Sequence, residues 1–382
     1  CGIITERKST MELNKNKLFQ QFKSFDIITF ALALALSIFG LTLVYSATYS
    51  YETYKYLIIQ GAGCFLGFIC VVIIHFIGYD TLSKISPFLY AFGVLFLLSV
   101  FVIGKEVDGN KNWIRFLGIG IQPSEIVKII FIISFATHLN IVKDKLNKFK
   151  SIAMLLLHFG ILVVIIALQG DFGTVFVYCA IMLGMLFCAG LKLRYFAVGL
   201  AGAAGTLVFL WNFVFQTYHK KRILLTFNPE LDPLGFGYQA IQSKIAVGAG
   251  KVAGKGYLQG LQNQYSILPA KQTDFIFSVC GEEFGFLGCI LLIALFVCLF
   301  VRILIVSSKS RDYVGSYICV GVFSMLAFQM VENIGMCIGI LPVIGITLPF
   351  ISYGGSSILS VWLSVGLVMS VYSQREISMF RN

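Results

Sequence analysis

Charged residues divide the chain into long uncharged stretches that predict membrane-spanning helices. The stretches cover residues 27–51, 56–79, 85–104, 129–142, 151–170, 172–191, 195–219, 284–301, 313–331 and 333–374. A helix needs roughly 20 apolar residues to cross the hydrocarbon core of a bilayer. The stretch at 129–142 reaches this length when it is extended back to Gln122, and Pro342 and Pro349 divide the last one into an irregular segment and a helix. The pattern therefore predicts ten helices.

Composition places the chain among integral membrane proteins. Hydrophobic residues make up 58% and charged residues 12% of it, whereas roughly a quarter of the residues of a soluble protein are charged. We expect an all-α polytopic membrane protein, with a ten-helix domain over 25–374 and a large extracytoplasmic loop at 215–276 between the seventh and eighth helices. Residues 1–24 and 375–382 are the expected cytoplasmic ends, and the ten residues before Met11 are interpreted as an extraneous extension.

The distribution of Lys and Arg sets the expected orientation, because short cytoplasmic loops of membrane proteins are enriched in basic residues. With the amino end in the cytoplasm, inner segments hold 17 of the 29 basic residues, whereas the short outer loops hold only Lys55, Lys105, Lys111 and Arg115. Both termini are then cytoplasmic. The segment 215–276 is external, which its basic residues do not oppose, since long loops are translocated largely regardless of charge.

Most ionisable residues near the predicted helices lie on the outer side in this topology. They are Glu125, Lys128, Asp171, Asp274 and Glu332. Ionisable groups at membrane depth are costly and usually mark function. A transporter more often places such groups near the midplane, between broken helices. The pattern therefore favours a site at the outer surface.

Glu125 and Lys128 are three residues apart and share one face of a predicted helix. An ion pair between them reduces the cost of holding either charge near lipid. Two interpretations stay open and are compatible with each other. The two residues form a structural pair, or they contact the substrate, where the lysine meets a phosphate.

Asp274 lies where the long external loop meets the eighth predicted helix. Thr273 before it is a good N-cap, so the aspartate is expected in the first helical turn, where the helix dipole favours its ionised form. Glu282 and Glu283 lie too far along a continuous helix to form a close carboxylate pair with it. Asp274 is interpreted as a lone general base, and the alternative is a simple charge at a helix start.

The loop before Asp274 is basic and rich in glycine. It contains Lys220, Lys221, Arg222, Lys244, Lys251, Lys255 and Lys271 against Glu230 and Asp232. Such a surface suits an anionic lipid head group, above all a diphosphate. The alternative is a solvated loop with incidental charge. Residues 249–256 resemble a phosphate-binding P-loop but lack its first Gly and its Ser/Thr, so their glycines are expected to form a tight loop packed on the membrane surface.

Six motifs follow one another in order along the chain. They are Asn112-Trp113-Ile114, Gln122-Pro123-Ser124-Glu125, Gln169-Gly170-Asp171-Phe172-Gly173-Thr174, Thr273-Asp274-Phe275-Ile276-Phe277, Asn333-Ile334-Gly335-Met336 and Leu348-Pro349-Phe350-Ile351-Ser352-Tyr353-Gly354-Gly355-Ser356-Ser357. Together they resemble the SEDS family of bacterial shape, elongation, division and sporulation proteins, over nearly the whole chain from Phe25. The Asn333 motif and Gln262-Asn263-Gln264 look closest to the RodA branch. Two positions depart from the family pattern, since Asn112 replaces an Arg and Gly170 replaces a Pro.

This resemblance implies a peptidoglycan glycosyltransferase that polymerises lipid II, with inversion, at the outer face of the bacterial cytoplasmic membrane, for cell elongation and rod shape. Asp274 is then the catalytic base, and the implied substrate-binding residues are Trp113, Glu125, Lys128, Asp171, Arg222 and Lys271. Trp113 either stacks on a sugar or anchors the chain at the interface. A divalent cation, Mg²⁺ or Mn²⁺, is expected at the diphosphate, with no ligand assigned in the chain. The expected partners are a class B penicillin-binding protein and other elongation or division proteins, and no nucleic acid.

Two other functions are weighed against this one. A lipid II flippase needs polar residues that line a path to the inner leaflet, and the first, second, third and seventh predicted helices carry none beyond His75. A non-catalytic scaffold would only activate a class B penicillin-binding protein. Polymer formation by the purified protein separates the three hypotheses.

Overall fold

The computed structural model describes residues 25–107, 110–116, 119–213, 229–233 and 235–379. Its long helices are α1 (Ile27–Tyr49), α2 (Lys55–Ile77), α3 (Ser86–Ile103), α4 (Pro123–Val142), α5 (Phe149–Leu168), α6 (Phe172–Cys188), α7 (Leu193–Phe213), α8 (Phe236–Ala249), α9 (Ile276–Ser308), α10 (Tyr313–Cys337) and α11 (Gly355–Met379). All but α8 correspond to the ten predicted helices. Eight are long and apolar enough to cross a membrane, and α6 is a shorter apolar helix. The prediction of an all-α polytopic membrane protein is confirmed.

A small antiparallel sheet, which the hydrophobic pattern does not predict, lies between α3 and α4. Its strands are β1 (Lys105–Val107), β2 (Asn110–Phe116) and β3 (Ile119–Ile121), in the order β1-β2-β3. The ladder pairs Trp113 with Lys105 and Ile114 with Ile121. It gives partners to the backbone groups of a connection near the bilayer, where unpaired polar groups are costly. β2 packs against α4 and β3 packs against α11.

The most buried of the candidate spans are α4 and α11, which form the centre of the bundle. α11 packs along α2, and a Cβ added to Gly67 of α2 would come 2.6 Å from the buried Trp362 of α11. A small residue at this position allows the close approach that drives helix association in membranes.

Residues 250–256 dock on α9, which is broken near its amino end. The break lies at Gly285, whose φ of 63° and ψ of −161° only glycine adopts without strain. The freed amides of Phe286 and Leu287 donate to the carbonyls of Lys251 and Val252, at 3.0 and 3.1 Å. In return, the amides of Lys255 and Gly256 donate to the freed carbonyls of α9 at 3.0 and 3.1 Å. The loop therefore satisfies the backbone groups that the break exposes.

This docking changes the interpretation of residues 249–256. Their glycines do not simply form a loop on the membrane surface. A Cβ added to Gly250 would come 1.8 Å from the carbonyl oxygen of Gly281, and one added to Gly254 would come 2.1 Å from that of Glu283. The glycines are needed because the loop packs backbone to backbone against α9. The helix predicted at 284–301 also begins earlier, at Ile276, and continues across the break to Ser308.

Candidate active site

Asp274 lies in a tight turn immediately before α9. The amides of Thr273 and Phe275 both donate to the carbonyl of Ala270, at 3.1 and 3.2 Å. The aspartate is half-buried, and a Cβ added to Gly345 would come 3.5 Å from its Oδ2. The carboxylate therefore faces the irregular segment 338–354, which connects α10 to α11.

The predicted position of Asp274 inside the first turn of α9 is wrong. The helix begins at Ile276, with Phe275 at the N-cap position and no capping side chain. Thr273 Oγ1 donates to the carbonyl of Ala270 at 3.2 Å, because a threonine hydroxyl readily bonds its own local backbone. Asp274 is thus held in front of the helix, near the positive end of its dipole.

Two side chains outside the turn hold it in place. The amide of Asn333 on α10 donates to the carbonyls of Asp274 and Ile346, at 2.7 and 2.8 Å. The hydroxyl of Ser352 donates to the carbonyl of Thr273 at 2.6 Å. The sequence singles out both positions only as parts of motifs. Their function in the fold is to join the turn of Asp274 to segment 338–354.

Lys271 is fully buried on the other side of this turn. Its ammonium donates to the carbonyl of Asn263 and to the hydroxyls of Ser50 and Ser266, the latter two at 2.9 and 3.2 Å, and lies 4.9 Å from the ring centre of Tyr51. Burial lowers the pKa of this ammonium to about 8, although nearby carboxylates oppose the shift. All three ammonium hydrogens have acceptors within the protein. The predicted contact of Lys271 with substrate stays a prediction, and the structure shows it fixing the turn.

Glu282 and Glu283 anchor the loop around Asn263 to α9. Glu282 accepts from the amides of Gln262 and Asn263, at 2.9 and 3.1 Å. Glu283 accepts from the hydroxyl of Ser46 on α1 at 2.6 Å and from the side-chain amide of Asn263 at 2.8 Å. Both carboxylates are buried, and Asn263 connects them to Lys271. These contacts between distant parts of the chain were not predictable from spacing.

Asp171 organises a second group of polar side chains. It caps α6 by accepting from the amide of Thr174 at 3.1 Å. It also accepts from the side-chain amides of Gln122 and Asn112, at 2.7 and 3.2 Å. Asn112 therefore contacts this aspartate without bringing a positive charge.

Glu125 and Lys128 form the predicted ion pair, with Lys128 Nζ 2.8 Å from Glu125 Oε1. Both residues are buried, and the hydroxyl of Ser360 on α11 donates to Glu125 Oε2 at 2.8 Å. The pair joins the two most buried spans of the bundle. Its predicted contact with substrate stays a prediction.

The remaining predicted site residues are Trp113 and Arg222. Trp113 is partly exposed on β2, and a Cβ added to Gly120 of β3 would come 3.0 Å from its ring. The sheet thus supports the indole while leaving part of it accessible. Arg222 lies outside the described residues.

Segment 338–354 joins the group around Asp171 to the turn of Asp274. A Cβ added to Gly173 would come 2.7 Å from the carbonyl oxygen of Ile344, and the hydroxyls of Thr347 and Ser357 lie 3.0 Å apart. Gly345, between these contacts, faces Asp274. The polar groups around Asp171 and Asp274 therefore lie at the same irregular segment, at one end of the bundle.

The side chains around Asp274 do not form a metal cage. Among the described residues, no group of three or more His, Cys, Asp or Glu side chains has the arrangement needed to hold an ion. A hard divalent cation takes six or more oxygen ligands, which the residues present do not supply.

Fold and site together define a polytopic membrane protein with a buried polar site at one end of its helix bundle. The chain matches the FtsW/RodA/SpoVE family, described as cell cycle proteins, over residues 26–377. The peptidoglycan glycosyltransferase MrdB of Escherichia coli K12 is 36% identical over 81% of this chain and 84% of its own. The stage V sporulation protein E of Bacillus subtilis is 34% identical over 91% of this chain and 96% of its own. The chain belongs to this family, the SEDS proteins.

Solved structures show the same fold. A chain of a peptidoglycan synthase complex, described as coordinating polymerization and crosslinking, is 27% identical and superposes with a TM-score of 0.81, covering 92% of this chain and 98% of its own. The rod shape determining protein RodA of Thermus thermophilus is 26% identical with a TM-score of 0.70, covering 92% and 97%. The arrangement of the long helices is therefore that of the family.

Proposed function

We propose that this peptidoglycan glycosyltransferase polymerises lipid II at the outer face of the bacterial cytoplasmic membrane, with both termini in the cytoplasm. The observation that carries the proposal is the turn of Asp274. The backbone of this turn is held by bonds to Ala270, by Asn333 and by Ser352, and the half-buried carboxylate that it carries faces an irregular segment. A rigidly placed carboxylate is the arrangement that general base catalysis needs.

In the proposed reaction, Asp274 takes the proton of the acceptor sugar's 4-hydroxyl. The hydroxyl oxygen attacks the anomeric carbon of the donor sugar, and the bond from that carbon to the diphosphate oxygen breaks. The polyprenyl diphosphate leaves with the electron pair, and the anomeric configuration inverts in this single displacement. A carboxylate is a weak base for a sugar hydroxyl, so proton removal is concerted with attack.

The leaving diphosphate carries the charge that must be stabilised. We assign this function to Lys128 and to Arg222, with Glu125 and Asp171 orienting the group and Trp113 contacting a sugar. Lys271 acts through its hold on the turn of Asp274. A divalent cation would add charge neutralisation at the diphosphate, and its ligands would come mainly from the substrate.

The proposed partner is a class B penicillin-binding protein, which would cross-link the glycan that this chain makes. Its support is the likeness to a chain of the peptidoglycan synthase complex, at a TM-score of 0.81. Elongation of the rod is the proposed cellular process, supported by the likeness to MrdB and RodA.

The test uses purified protein and partner in liposomes with labelled lipid II, and separates glycan chains by gel. We expect chains from the wild type and a loss of about 10²-fold or more in Asp274→Asn, because general base catalysis contributes roughly 10²–10⁴-fold. Glu230→Gln, at an exposed carboxylate of the same external segment, is the matched control and keeps full activity.

Equal polymer from wild type and Asp274→Asn, with folding and partner binding intact, would reject Asp274 as the base. Movement of lipid II between leaflets without polymer would instead favour the flippase. Polymer formation that depends on an active site of the partner, and not on Asp274, would favour the scaffold.

A further inference from the structure

A cavity of about 250 Å³ lies between α8, α9 and α10. On α9 it is lined by every fourth residue from Phe277 to Ile293, which places the lining on one face of the helix. The wall on the other side is formed by Ile334 and Ile338. The lining is apolar apart from Lys251, the only charged side chain among the residues that form this cavity. We call it the α9 groove.

The upper end of the α9 groove lies beside the turn of Asp274. Phe277 follows Asp274 by three residues, and Ile334 is the neighbour of Asn333, whose side chain holds the Asp274 carbonyl at 2.7 Å. A ligand in the groove is therefore directed towards the proposed base.

The lower end of the groove opens to lipid. Phe286 and Ile290 line it and are 60% and 46% exposed on the outside of the bundle. Cys289 and Ile293 continue its floor in the part of α9 that follows the break at Gly285. An apolar channel that is continuous with the hydrocarbon suits a lipid chain rather than a soluble molecule.

Lys251 lies between these two ends. Its carbonyl accepts from the amide of Phe286 at 3.0 Å, which fixes the lysine at the height of the helix break, and its side chain is exposed. Phe286 is nine residues beyond Phe277, a rise of about 13 Å along a helix. A single cation with hydrocarbon below it and a carboxylate above it matches a lipid diphosphate that carries sugars.

We infer that the α9 groove binds the polyprenyl diphosphate of the acceptor lipid II. This rests on the proposed function and adds the assignment of the groove to one of the two substrates. In the donor, the reacting anomeric carbon is bonded directly to the diphosphate, so its diphosphate must lie beside Asp274. In the acceptor, the reacting 4-hydroxyl is separated from the diphosphate by two sugar rings, so its diphosphate lies away from Asp274 along α9, as Lys251 does at the height of Phe286.

The first test fills the lower end of the groove. Ile293→Trp is compared with Leu291→Trp, whose side chain is 56% exposed on the same helix and outside the groove. A preformed lipid-linked glycan strand serves as donor and labelled lipid II as acceptor. We expect Ile293→Trp to raise the KM for lipid II about tenfold, with the KM for the donor strand and kcat unchanged, and Leu291→Trp to match the wild type.

A rise in the KM for the donor strand, or an equal rise in both variants, would overturn the assignment. Lys251→Gln gives a second readout of the same site. It is expected to raise the KM for lipid II about tenfold, because a cation on the diphosphate is lost, and Lys251→Arg is expected to restore it. A purely structural function of Lys251 would instead reduce stability and kcat together.

A binding test that needs no polymerisation keeps the two proposals apart. A polyprenyl diphosphate with a diazirine in its chain is irradiated with the full-length protein, and labelled peptides are mapped. We expect labelling at 277–293 and 334–338, competition by unlabelled polyprenyl diphosphate but not by phosphatidylglycerol, and a loss in Ile293→Trp. Labelling spread evenly over lipid-facing helices would overturn the inference. Specific labelling in a protein that makes no polymer would reject the proposed function and keep the groove.

Discussion

The side-chain amide of Asn333 donates a 2.7 Å hydrogen bond to the backbone carbonyl of Asp274. The two residues are 59 positions apart in the chain, and the same amide also holds the carbonyl of Ile346 at 2.8 Å. One buried side chain therefore sets the distance between the turn of the proposed base and the segment that it faces. Asn333 is a positioning residue, since it contacts the backbone of Asp274 and not its carboxylate.

Asn333→Ala is expected to lower kcat about 10- to 100-fold with little change in KM, because a small displacement of the base removes its alignment with the acceptor hydroxyl. The Ile346 carbonyl left without this donor also costs about 1–3 kcal/mol, whereas the Asp274 carbonyl keeps a weak hydrogen bond from the Cys337 thiol at 3.7 Å. Gln329→Ala, one turn earlier on α10 and also buried, is the control. Polymerisation assays on purified variants check this, and an unchanged kcat in Asn333→Ala would contradict the positioning function.

Lys271 predicts a pH dependence of stability. Its pKa falls from 10.5 to about 8 on folding, chiefly through burial. Between these pH values the unfolded chain holds the proton and the folded chain has released it, so the free energy of unfolding rises with pH across this window, by at most roughly 3 kcal/mol. Below pH 8 both states are protonated and the lysine contributes no slope.

The measurement for Lys271 is the difference between wild type and Lys271→Met in unfolding free energy, from pH 7 to 10.5 in detergent at constant ionic strength. The rise with pH is expected in wild type and absent in the variant. Lys255→Met, at a partly exposed lysine of the same external segment, keeps the rise. Parallel curves for wild type and Lys271→Met would contradict the prediction.

Because Glu125 and Lys128 form a buried ion pair, we expect their contributions to the free energy of unfolding to be strongly coupled. Removing one partner leaves an unpaired buried charge, so Glu125→Leu or Lys128→Met alone is expected to cost about 3–5 kcal/mol. The double variant is expected to be more stable than either single variant, because no charge remains. Thermal unfolding of the four proteins gives the double-mutant cycle. Additive effects would show that the pair is not coupled.

The same double variant separates the two interpretations of the pair. A stable double variant that has lost polymerisation would assign the pair to substrate contact as well as to structure. A stable double variant with full activity would limit the pair to joining α4 and α11.

Gly285→Ala is expected to release the external loop from α9. The added Cβ would come 2.2 Å from the amide nitrogen of Gly254, at a φ of 63° that alanine adopts only with strain of about 1–3 kcal/mol. Hydrogen exchange at the amides of Lys255 and Gly256, which donate to α9, should become faster. Gly248→Ala, where a Cβ meets nothing within 4 Å, is the control. Unchanged exchange would contradict the docking of this loop.

Much of the architecture can be predicted from the sequence, because the hydrocarbon core restricts the structures that a membrane-spanning segment can form. No water reaches the hydrocarbon core, so a segment that crosses it must pair its backbone N–H and C=O groups internally. A long uncharged stretch therefore forms a helix. The ten helices and the pair at Glu125 and Lys128, three residues apart, depend on such local spacing.

The details of the site follow from contacts between distant segments. Spacing predicts Asp274 inside α9, whereas bonds to Ala270 and Asn333 hold it in front of the helix. The bond between Ser46 and Glu283 joins residues 237 positions apart, and the sheet around Trp113 depends on pairing between short strands. The sequence by itself determined the helices and the identity of the polar groups, because the bilayer acts on each segment separately. Only the tertiary structure decided how those groups meet, because a hydrogen bond or a close backbone approach depends on where two remote segments pack.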